Sequence, residues 1–125
     1  MSPIVTTDRD LVVKVTNQMI TDQIVTAIEG GCNYWMESFH ANKGRERATE
    51  SPWYSDPKVW GGDFEIECSD GDDTSILTPD KIKSGLQWLA EHHLWRLEQI
   101  VKENGDAETA DVFLQACLFG EIVYG

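Results

Sequence analysis

The chain is short of positive charge and without a long apolar run. Ten lysines and arginines stand against 22 aspartates and glutamates, a formal charge of −12 at pH 7. A surface so biased repels nucleic acid and anionic membranes and is drawn to basic surfaces, which argues against direct nucleic-acid binding. No stretch approaches the roughly 20 apolar residues that span a bilayer. The opening Met1-Ser2-Pro3-Ile4 has neither a basic region nor an apolar core, which predicts no secretion signal and a cytoplasmic protein. Cys32, Cys68 and Cys117 are odd in number, widely spaced and set among apolar or aromatic neighbours. They read as buried free thiols rather than a disulfide framework.

The usual marks of catalysis are also missing. There is no Gly-rich phosphate loop, nucleophile elbow, HExxH or CxxC. The histidines are His40, His92 and His93, and Cys32 with His40 has no standard ligand spacing, so neither a metal nor a cofactor is expected. Residues 69–74 resemble a calcium loop in composition only, since the terminal glutamate and the spaced ligands are lacking. His93 falls on an apolar helix face and reads as a core histidine. Together these absences favour a protein that binds over one that catalyses.

What remains is enough for a single α+β domain over 1–125. Hydrophobic residues make up 41% and aromatics 10%, sufficient for one core. The pattern predicts a small antiparallel sheet, including a hairpin at 63–77, covered on one face by a single layer of two to four helices. Residues 11–15 alternate as a strand. Thr21 looks like an N-cap, with Ile20 and Val25 as a staple, for a short helix at 22–29 that Gly30-Gly31 ends. Residues 32–39 are ambiguous between strand and helix and lean to strand. Residues 40–62, holding Gly44, Pro52, Pro57, Gly61 and Gly62, read as a long loop.

The alternation of 63–68 is the clearest strand signal, and Asp70-Gly71 marks the turn. A three-residue loop pairing Ile76 with Ile66 keeps apolar side chains together, and is the expected register. Thr78-Pro79 opens a long helix whose face runs Ile82, Leu86, Leu89, His93, Leu97 and Ile100, bent near His92-His93 and stopped by Asn104-Gly105. A last helix starts from a cap at Asp106 or Thr109 and runs to Gly120, and 122–124 is expected to add a short strand.

Two groups of residues are candidate sites. Asp63, Glu65 and Glu67 share one side of a strand at a spacing of roughly 6.6 Å, and Asp70, Asp72 and Asp73 continue the charge through the turn. Such a row can imitate a phosphate backbone and occupy a basic groove. The imbalance concentrates there, residues 61–125 carrying fourteen acids and four bases. The other group is aromatic and basic: Asn33, Tyr34, Trp35, Arg45, Arg47, Trp53, Tyr54 and Trp60, with Lys43 and Lys58 nearby. Rings that stack on a base beside cations that meet phosphate would suit a nucleotide. The plainer alternative is that the rings cover the sheet. Trp88 and Trp95, two helical turns apart, read as core or as a homo-oligomer interface.

The segments Gly30-Gly31-Cys32-Asn33-Tyr34-Trp35 and Ala110-Asp111-Val112-Phe113-Leu114-Gln115-Ala116-Cys117-Leu118-Phe119-Gly120-Glu121-Ile122-Val123-Tyr124-Gly125 resemble a group of small uncharacterised proteins of tailed bacteriophages. The resemblance implies expression in an infected bacterium and an accessory role, and carries over no catalytic or binding residue. Its implied partner is a host or anti-phage defence protein with a basic surface, inhibited through the acidic face. The alternative is sequestration of a nucleotide defence signal by the aromatic and basic segment 33–60.

Overall fold

Side chains that accept from the free N–H groups of a first turn set the helix starts in this chain. In the computed structural model, which describes residues 3–6 and 12–125, Thr16 caps α1 (Asn17–Thr26) and Asp56 caps the single turn α2 (Pro57–Trp60). Thr78 caps α3 (Pro79–His92), as the sequence predicts, and of the two caps expected for α5 (Ala107–Phe119) Asp106 is the one used. Thr21 is not a cap. It lies inside α1, where its hydroxyl donates to the Asn17 carbonyl at 2.6 Å, and Ile20 is buried within the same helix, so no staple with Val25 forms. Gly30-Gly31 does end this segment, through a π-turn over Ala27–Gly31. Gly31 is there because α5 is close: a Cβ would fall 2.4 Å from the Ala107 carbonyl oxygen.

The long helix breaks into α3 and α4 (Leu94–Val101) at His93, whose φ of −144° and ψ of 58° leave the helical region. Ile82, Leu86, Leu89, Leu97 and Ile100 are buried on the expected face, while His93 is only half-buried at the break.

There are two antiparallel sheets. β1 (Ile4–Thr6) pairs with β2 (Val12–Lys14); Leu11, expected in that strand, lies outside the described residues. The larger sheet has the order β3 (Ser38–Lys43), β4 (Glu65–Ser69), β5 (Thr74–Leu77). The hairpin forms with a longer turn than expected, so Ile66 pairs with Leu77 and Glu67 with Ile76. Asp70 causes this: its Oδ1 accepts from the N–H groups of Asp72 and Asp73 at 2.9 and 2.8 Å, and Gly71 takes φ +103°. The register sets buried Leu77 beside buried Ile66 and leaves Ile76 half-buried on the outer face. Asp63 falls outside the strand.

Three other expectations give way. Residues 32–39 begin as a turn, because the Cys32 carbonyl accepts from Trp35 and Met36 at 3.1 and 2.9 Å, and pairing starts only at Ser38. The segment 40–62 is not a bare loop: it holds the rest of β3, single 3-10 turns at Arg45–Arg47 and Trp53–Ser55, and α2. Side chains bonded to backbone hold it together. The Asp56 carboxylate accepts from Thr49, Glu50 and Lys58 N–H groups at 2.8, 3.2 and 2.9 Å. The Arg47 guanidinium donates to the carbonyls of Lys58, Val59 and Asp63. Such bonding has no hydrophobic period, which is why the sequence reads as loop. At the other end, 122–124 forms no strand; the N–H groups of Val123 and Tyr124 both go to Gln115 Oε1 at 2.8 Å.

One continuous core joins α1, α3, α4, α5 and the inner face of the larger sheet. Among the described residues no helix is long and apolar enough to cross a membrane. The α3–α5 seam is tightest at Gly85, where a Cβ would fall 2.4 Å from Cys117 Sγ and 2.7 Å from its backbone nitrogen. Gly85→Ala should therefore destabilise the fold by about 1–3 kcal/mol in urea unfolding. Gly30→Ala meets nothing within 4 Å and should stay within about 0.5 kcal/mol of the wild type.

Candidate functional site

The acidic hairpin carries most of its charge at the turn. Ser69 Oγ accepts from Gly71 N–H at 3.1 Å, and the Asp70 N–H donates to the Asp73 carbonyl at 3.2 Å. With the two bonds to Asp70 Oδ1, these close the turn, so Asp72 and Asp73 stand exposed on a rigid loop. Glu37, a residue the sequence does not mark, joins them: its carboxylate lies where a Cβ on Gly71 would approach to 2.5 Å. The Asp73 N–H, the Tyr124 hydroxyl and the Asp72 N–H all donate to Asp70 and push its carboxyl down to about 2.

Along β4 the row is less uniform. Glu65 is exposed, and Glu67 is half-buried and accepts from Asn42 Nδ2 at 3.1 Å. Asp63 is neutralised by Lys43 at 2.5 Å, a bond that lowers the Asp63 carboxyl and raises the lysine. The outer face also carries Lys43 opposite Glu65 and His40 opposite Glu67. The continuous negative surface therefore runs from Glu65 and Glu67 to the turn.

The aromatic and basic residues divide into two places. Trp60 is buried, donates its indole N–H to the Tyr54 carbonyl at 2.9 Å and meets Phe64 edge-on. Trp53 is half-buried, stacked on Phe39 with centroids 5.5 Å apart, and Arg45 lies 5.9 Å over its ring. Tyr54 packs edge-on against both rings and donates to Glu29 at 3.0 Å. These rings cover the inner face of the sheet. Arg47 is bound to three backbone carbonyls, as described above. Asn33, Tyr34 and Trp35 lie elsewhere, against α5. Asn33 is exposed on the turn, and Trp35 is buried, its ring stacked on Tyr124 at 5.0 Å and 3°.

Asp111 draws that second group together. Its Oδ1 accepts from Trp35 Nε1 at 2.8 Å, from Gln115 Nε2 at 2.9 Å and weakly from Cys32 Sγ at 3.6 Å. Its Oδ2 accepts from the Tyr34 hydroxyl at 2.5 Å. Desolvation and then this bond push the Tyr34 hydroxyl up to about 12. Sequence reasoning passed over Asp111 and Gln115, although a signal was present: two polar residues four apart in the otherwise apolar run 110–119. The cysteines are free and buried, and burial raises all three thiols, Cys68 to about 12.

Asp111→Leu would orphan buried donors at roughly 1–3 kcal/mol each, so a loss of about 3 kcal/mol or more is expected in chemical unfolding. The native protein should leave all three thiols unreacted with a thiol reagent at pH 8, and the denatured protein should expose three. Asp70 supplies a pH prediction. Its folded carboxyl lies below the ordinary value near 3.8, so its contribution to stability is complete above that value and is lost as pH falls towards about 2. Carboxyl NMR should find Asp70 titrating near 2, and Tyr124→Phe should move it upward. Compared with known protein families, curated proteins and solved structures, the chain matches none.

Proposed function

We propose that this protein acts by binding, and that its acidic hairpin docks on a basic surface of a protein partner in place of nucleic acid. The observation that carries the reading is the lack of internal neutralisation. Among the described residues only Asp63 and Glu108 are in ion pairs, in a chain of net charge −12. Glu65, Asp72 and Asp73 are exposed, Glu67 and Asp70 are half-buried beside them, and the turn is already ordered by its own hydrogen bonds. A rigid charged loop loses little entropy on docking and steers encounter with a basic groove.

The likeness of 30–35 and 110–125 to tailed-phage proteins supports a setting in the cytoplasm of an infected bacterium. A host or anti-phage defence enzyme with a nucleic-acid groove is then the partner, and inhibition is the consequence. The nucleotide alternative has less support. Trp60 is buried, Arg47 is engaged by carbonyls and Trp35 lies against α5, which leaves Arg45, Trp53 and Tyr54 to hold a ligand.

The test begins with capture of the partner from infected-cell lysate on the immobilised protein, followed by titration of the purified pair. Glu65→Lys with Glu67→Lys should keep the wild-type melt and weaken binding by about tenfold or more. Raising salt should weaken it further, since exposed charges are screened beyond about 8 Å at physiological ionic strength. Double-stranded DNA should compete. Affinity indifferent to both charge reversal and salt would refute the reading.

A further inference from the structure

The two outer edges of the larger sheet differ. On β3 the register shifts between Ala41 and Lys43, and Lys43 itself stands at the shift. A bulge and a charge are features that keep other chains from pairing. On the far side, β5 is Thr74-Ser75-Ile76-Leu77, with no charge, no proline and an unbroken register against β4. Among the described residues no strand pairs with its outer edge. Thr74 is exposed, and Ser75 and Ile76 are half-buried.

The ladder fixes which backbone groups that edge presents. The Asp70 N–H donates to the Asp73 carbonyl at 3.2 Å, while Ser69 turns its carbonyl the other way, to the Glu37 N–H at 2.8 Å. Backbone groups alternate along an antiparallel strand, which makes Cys68–Ser75 and Ile66–Leu77 the bonded pairs of the register. The N–H and C=O groups of Thr74 and Ile76 therefore point away from β4, to the open edge.

Charge selects what adds there. Asp72 and Asp73 precede β5, Asp80 follows it, and Glu67 lies opposite Ile76. A second copy of this chain, itself at −12, would set these acids against their own kind. We propose that the partner of the acidic hairpin supplies an extended basic segment, which adds to β5 as a fourth strand with its main chain on Thr74 and Ile76. Neighbouring strands lie about 4.8 Å apart. A lysine placed beside Ile76 thus runs its methylene stem over that side chain and brings its ammonium to Glu67. Main-chain bonds hold such a segment, and alternate lysines or arginines make it specific. The proposal rests on the docking reading for the sign of the partner's charge and adds how the partner is held.

The probe is a decapeptide alternating lysine and threonine, titrated into the full chain by calorimetry and by NMR. One site per chain is expected, with the amides of Thr74 and Ile76 becoming slow to exchange with solvent. Ile76→Pro removes an N–H that the ladder does not use, a position where an edge strand tolerates proline. It should leave the fold intact and weaken the peptide about tenfold or more. The same peptide with its central amides N-methylated keeps its charge and should lose as much. If Ile76→Pro does not fold, Thr74→Pro and the amide protection decide. Binding that falls with salt and with Glu65→Lys and Glu67→Lys, yet ignores Ile76→Pro and N-methylation, would overturn the added strand and leave charge docking standing. Binding indifferent to charge reversal as well would take the docking reading with it. No binding of the peptide, or a wild-type dimer that Ile76→Pro splits, would also overturn the proposal, the second by giving the edge to another copy of the chain.

Discussion

The buried pair Asp111 and Gln115 on α5 is the contact on which the rest of this molecule turns. The carboxylate gathers Cys32, Tyr34 and Trp35 from the turn after α1, and the amide gathers Val123 and Tyr124 from the C-terminal segment. Trp35 and Tyr124 then stack face to face, and the Tyr124 hydroxyl reaches Asp70 in the acidic turn. A charged group in a core is tolerated only when its lone pairs are occupied, and here the donors come from segments far apart in the chain. The same satisfaction that keeps Asp111 buried fixes where the hairpin points.

That arrangement also brings residues 30–35 and 110–125 together. Residues 30–35 lie against 110–125, Gly31 beside the Asp111 backbone and Trp35 on Phe119 and Tyr124. The two segments therefore form one structural unit, which reaches the acidic turn through the Tyr124 hydroxyl on Asp70.

Negative charge is handled differently at different positions. Where acids stabilise the fold they accept from backbone or hydroxyl groups: Asp56 organises 49–58, Asp106 caps α5 and Asp70 closes its turn. Others, Glu65, Asp72 and Asp73 among them, stay exposed, and few cations offset them. The turn shows both uses within four residues, with Asp70 bonded inward and Asp72 and Asp73 facing solvent. Mutual repulsion among exposed acids is tolerable because the backbone bonds hold the loop closed without any cation.

Local signals were legible in the sequence because they act over a few residues. The caps at Thr78 and Asp106, the break at His93, the stop at Gly30-Gly31 and the acidic hairpin itself could all be read from neighbouring side chains. So could the α+β class and the charge. The start of α1 was misread because Thr16 and Thr21 carry the same capping chemistry, and only packing chose between them. The hairpin register went to a longer turn because Asp70 bonds to two N–H groups, a preference weaker in composition than apolar pairing. The fate of the rings lay further out of reach. Trp35, Trp53 and Trp60 look alike as large aromatics near bases, but Trp35 answers to Asp111 across 76 positions. Composition and local pattern thus determined class, charge and most helix boundaries. Tertiary packing alone decided which rings and carboxylates are buried, because a polar group's burial depends on donors that the chain brings back from a distance.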